Sequence, residues 1–86
     1  MYQLGQNISK VETDYGIVLL DEARGEYFNL NPSGVIVLET VLASGDPARA
    51  VTALLEQYSV ERDVAEADVA DVLGALVSAG VLKSAT

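Results

Sequence analysis

The chain has 86 residues, half of them hydrophobic, which suits one globular domain with a modest core and excludes a disordered chain. Thirteen acids against five bases leave a net charge of −8, unfavourable for a nucleic-acid binder, whose affinity comes from Lys and Arg on phosphates. The absence of cysteine and histidine excludes a disulfide framework, a thiolate metal site and an imidazole general base. Met1 to Gln6 carries neither a basic n-region nor an apolar h-region, and no apolar run approaches the roughly 20 residues of a membrane span. The expectation is a cytoplasmic protein without a signal peptide or membrane contact.

In chain order, residues 1–7 are polar and read as a frayed start. Ile8 to Thr13 alternates weakly and is rich in β-branched residues, which predicts a half-exposed strand. Asp14-Tyr15-Gly16 is a turn, and Ile17 to Leu20, apolar on both faces, predicts a central strand. A polar loop, Asp21 to Gly25, leads into a third strand from Glu26 to Leu30. These short connections imply an antiparallel meander with Ile17–Leu20 in the middle and Glu26–Leu30 at an edge.

Asn31-Pro32 marks the passage from β to α. Asn31 suits an N-cap, and Pro32 suits the first helical position, where its missing N–H costs nothing. Proline also pushes Asn31 out of the α region, so the strand must end there. The first helix is predicted from Pro32 to Ala43, with Val37, Leu38, Val41 and Leu42 as its core stripe, and Ser44-Gly45 ends it. Asp46-Pro47 repeats the start signal for a second helix to Tyr58, with Val51, Leu54, Leu55 and Tyr58 facing inward. Asp63-Val64-Ala65-Glu66 reads as a capping box for a third helix whose core stripe is Ala65, Val69, Val72, Leu73 and Leu76. Ala79-Gly80 stops it, Val81-Leu82 packs back, and Lys83 to Thr86 reads as a loose tail. The predicted fold is α+β: a three-stranded antiparallel β-meander followed by three α-helices, of the winged helix-turn-helix kind, in a single domain spanning 1–86 with its core at about 8–82.

Chemistry is hard to place on this frame. Ser33 stands at a helix N-terminus with no recognisable base, so it reads as a first-turn residue. The glycines are scattered at turns and form no phosphate loop. Asp21-Glu22 lacks the ligand spacing of a calcium loop. No catalytic residue, metal site or cofactor is expected. A binding surface is the better expectation. An edge strand presents free N–H and C=O groups, and Glu26 to Leu30 has only Glu26 as a guard, so another chain can add to it as a strand. At roughly 100° per residue, Asp68, Val72, Ala75 and Ala79 share one flank of the third helix. This flank is small and mildly apolar, with an acid near its start.

The chain resembles the PqqD-type peptide-recognition domains of ribosomally made, modified peptides. The resemblance rests on the three-strand start, on Tyr27-Phe28-Asn29-Leu30-Asn31-Pro32-Ser33-Gly34, on Gly45-Asp46 and Tyr58, and on Asp68-Val69, Leu73, Leu76 and Ala79-Gly80-Val81-Leu82. Two positions depart: Leu38 stands where such domains often have a larger aromatic, and Arg62 where proline is common. As a small acidic protein it is most similar to the leader-binding partner of lasso-peptide assembly. The resemblance implies a non-catalytic protein that binds a precursor's leader peptide as a β-strand added to the third strand, against the third helix. It implies peptide contacts from Glu26, Tyr27, Phe28, Asn29 and Leu30, and from Asp68, Val69, Val72, Ala75 and Leu76. It also implies two enzyme partners, a leader-cleaving cysteine protease and an ATP-dependent cyclase.

Two other classes remain. A winged-helix DNA-binding regulator needs a basic recognition helix, yet the third helix carries Asp63, Glu66, Asp68 and Asp71. A small acidic carrier protein needs a serine in an Asp-Ser-Leu setting, whereas Ser33 lies in Pro-Ser-Gly behind three strands.

Overall fold

The computed structural model describes residues 1–84. Its elements are β1 (Tyr2–Leu4), β2 (Ile8–Thr13), β3 (Gly16–Asp21), β4 (Glu26–Leu30), α1 (Pro32–Ser44), α2 (Pro47–Gln57), α3 (Arg62–Ser78) and β5 (Leu82–Ser84). The antiparallel sheet has the order β2-β3-β4, so β3 is central and β4 is an edge, as the short connections predict. The α+β architecture expected from the sequence is therefore the one observed.

The chain ends differ from the expectation of frayed termini. Tyr2, Gln3 and Leu4 pair with Ser84, Lys83 and Leu82 in a separate two-stranded ribbon, β1-β5. Tyr2 and Leu4 are half-buried while Gln3 is exposed, an alternation too short to stand out in sequence. Lys83 and Ser84 thus belong to a strand, and the remainder of the tail, Ala85 and Thr86, lies outside the described residues.

The helix starts follow their local chemistry. Asn31 Oδ1 accepts from the Gly34 N–H at 2.9 Å and from the Ser33 hydroxyl at 3.0 Å, which caps α1 and gives Ser33 its role. Asp46 Oδ1 caps α2 through the Ala48 N–H at 3.0 Å. The capping box expected at Asp63 is not formed. The N-cap is Glu61 and makes no side-chain hydrogen bond, so Arg62 is the first helical residue, the position that proline suits best. Asp63 instead accepts from the neighbouring Val64 N–H at 3.0 Å. α3 ends in a Schellman motif: Val81 N–H donates to the Leu76 carbonyl and Gly80 N–H to the Val77 carbonyl, both at 3.0 Å, with Gly80 at φ 76°.

The helices cover one face of the sheet. Ile17 and Leu19 of β3 enter a core with Val37, Leu38 and Val41 of α1, Ala50, Val51 and Leu54 of α2, and Ala65, Val69, Leu73 and Leu76 of α3. Val81 and Leu82 close it from the C-terminal side. Leu42, Leu55 and Val72 pack only partly against this core, and Tyr58 is exposed at the end of α2. Asp21, 7% exposed, accepts the Ala23 and Arg24 N–H groups on its Oδ1 at 3.1 Å, which fixes the β3–β4 turn.

Candidate functional site

Pairing register determines which way the backbone of β4 points. Asp14 and Tyr15 form a two-residue loop between Thr13 and Gly16, and such a loop closes on a hydrogen-bonded pair. Hydrogen-bonded and non-hydrogen-bonded pairs then alternate, so Val11↔Val18 and Ser9↔Leu20 are hydrogen-bonded. The Glu22 N–H donating to the Asn7 carbonyl at 2.9 Å continues the same series. Val18 and Leu20 therefore turn their backbone groups toward β2, and Ile17, Leu19 and Asp21 turn theirs toward Leu30, Phe28 and Glu26 of β4. The remaining β4 residues, Tyr27 and Asn29, direct N–H and C=O outward. Phe28 and Leu30 are half-buried on the helix side, while Tyr27 and Asn29 are exposed.

Beside this open edge lies a groove. Tyr27, Phe28, Asn29 and Leu30 form one wall, and Asp71, Val72, Ala75 and Leu76 of α3 form the other, around a depression of about 490 Å³. A second depression of about 500 Å³ shares Asn29, Leu30 and Val72 with it and extends past Asn31 and Gly34 to the β2–β3 turn. The two make one continuous trough along β4. Gly16 holds the far end close: a Cβ there would lie 1.9 Å from the Leu30 carbonyl oxygen, at a φ of +149° that disfavours any side chain.

Of the residues that the sequence pointed to, Tyr27, Phe28, Asn29, Leu30, Val72, Ala75 and Leu76 line the groove. Glu26 begins β4 at the turn and does not line it. Val69 is 3% exposed and belongs to the core beneath the helix. Asp68 lies nearer the N-terminus of α3 and lines a separate cleft of about 160 Å³ with Ser33, Leu54, Tyr58 and Val60. The acid in the groove is Asp71, which the sequence reading passed over. The signal was its position four residues before Ala75 on the same helix flank. Tyr15 and Thr13 were also missed, because only the folded register brings the β2–β3 turn to the end of β4.

The chemistry available is that of capture. The walls are mostly apolar, the edge supplies backbone donors and acceptors, and none of the five bases lines the trough. Among the described residues no group of three or more Asp or Glu is arranged to hold a metal ion, and no helix is long and apolar enough to cross a membrane. The exposed acids Asp63, Glu66, Asp68 and Asp71 give α3 a surface that repels phosphate, unlike a DNA recognition helix.

The family described as coenzyme PQQ synthesis protein D (PqqD) matches residues 16–82. No curated protein matches the chain. A solved structure described as lasso peptide synthetase B1 complexed with the leader peptide is 36% identical, with a TM-score of 0.87 over 95% of this chain and 96% of that one. A second, TbiB1 in complex with the TbiA(beta) leader peptide, is 27% identical, with a TM-score of 0.84 over 98% of both chains. The chain belongs to the PqqD family.

Proposed function

We propose that this PqqD-family protein binds the leader of a ribosomally made precursor peptide as a strand added to β4, and serves lasso-peptide biosynthesis. The observation that carries the reading is the open edge at Tyr27 and Asn29 facing an apolar groove, in a fold shared with two proteins described in complex with leader peptides. The added strand runs antiparallel to β4. Its backbone bonds to Tyr27 and Asn29, and every second side chain enters the groove over Val72 and Leu76. The protein itself carries out no chemistry. It holds the precursor in the cytoplasm for a leader-cleaving cysteine protease and an ATP-dependent cyclase.

The test is calorimetric titration with synthetic leader and core halves of candidate lasso precursor peptides. The leader half binds at one site per chain, and the core half does not. Binding confined to the core half contradicts the reading. Presentation to the enzymes is tested separately, by whether a leader-cleaving cysteine protease needs this protein to cut the precursor.

A further inference from the structure

We infer that Asp71 selects a basic residue in the bound peptide, at a groove-facing position two residues from an apolar one. The inference rests on the proposed leader binding and adds a sequence preference to it. The groove is apolar along its floor, with Phe28 and Leu30 on the strand side and Val72 and Leu76 on the helix side. Asp71 is the one charged residue in its lining, exposed, and in no ion pair among the described residues. The nearest competing acid, Asp68, faces the other cleft.

Geometry sets the spacing. Successive groove-facing side chains of a strand are about 6.6 Å apart. Asp71 adjoins Val72 in the groove lining, so the side chain that reaches it comes from the groove-facing residue next to the one packed over Val72 and Leu76. A lysine or arginine there can lay its apolar stem on the floor and carry its charge to the Asp71 carboxylate at the rim. A glutamate at the same position would meet an acid with no base near it, so the preference comes from repulsion as well as attraction.

The test uses a random dodecapeptide display library against the wild type, Asp71→Lys and Asp68→Asn, each checked for folding by circular dichroism. Wild-type selections should enrich Lys or Arg at one position, two residues from an enriched apolar residue. Asp71→Lys should enrich Asp or Glu at that position, and Asp68→Asn, which adds no base beside Asp71, should keep the wild-type pattern. A selected lysine peptide should bind Asp71→Lys about fivefold more weakly or worse, and its Lys→Glu form should restore binding. Groove-bound peptides with no charge preference, or a preference that survives Asp71→Lys, overturn the inference and leave leader binding standing. Selected peptides that bind an Ala75→Arg protein as well as wild type lie outside the groove and overturn the leader-binding reading itself.

Discussion

β2 and β4 are the two edges of one sheet, and they are guarded differently. The same alternation that turns Tyr27 and Asn29 outward on β4 turns Ile8, Lys10 and Glu12 outward on β2. On β2 two of these positions are charged, and Lys10 reaches Glu39 of α1 at 3.8 Å. Charge at the outward positions is a common guard against unwanted strand pairing. On β4 the outward positions carry tyrosine and asparagine, and the only acid, Glu26, sits at the turn. Val72, Ala75 and Leu76 of α3 add an apolar wall beside β4. An open edge offers hydrogen bonds that any peptide can make. The wall beside it adds burial and shape, and with them selectivity.

The comparison can be broken most strongly at the wall. Ala75→Arg places a long charged side chain in the groove from an exposed helix position. The fold should survive by circular dichroism, and leader affinity should fall about a hundredfold, roughly 2.7 kcal/mol. Unchanged affinity would move the site to another face. The edges themselves separate next. Asn29→Pro removes an outward donor and should weaken leader binding by roughly 1–3 kcal/mol, with little change in melting temperature. Val11 occupies the same row across the sheet, but its N–H is committed to Val18. Val11→Pro should therefore lower the melting temperature and leave the affinity of the folded protein nearly unchanged. Equal effects of the two prolines on binding would contradict the assigned alternation.

The smallest effect is electrostatic. Asp71→Asn should cost roughly 0.2–1 kcal/mol of binding to a leader with a suitably placed base. Added salt should slow association more than it speeds dissociation, because long-range attraction is what salt screens. Stopped-flow kinetics at low and high salt measure both rates.

The parts of the molecule readable in sequence are those decided by neighbours along the chain. Asn31-Pro32 and Asp46-Pro47 start helices because cap and proline act within one turn, and Gly80 ends α3 for the same reason. The β1-β5 ribbon was hidden because it joins opposite ends of the chain through three-residue strands. The groove was readable in outline, since period-2 and 100° arithmetic expose Tyr27 to Leu30 and the Val72-Ala75 flank. That arithmetic ranks residues around a helix but not along it. How α3 sits against β4 depends on tertiary packing, so the arithmetic could not tell that Asp71 lines the groove and Asp68 a separate cleft.

The central claim, that β4 receives a strand through its outward backbone groups, is tested most directly by amide hydrogen exchange with and without leader peptide. The alternation predicts that Tyr27 and Asn29 exchange quickly in the free protein and become protected on binding. Phe28 and Leu30, already bonded to β3, should be protected in both states. Protection that rises only on the α1–α2 surface, with Tyr27 and Asn29 unchanged, would contradict the account.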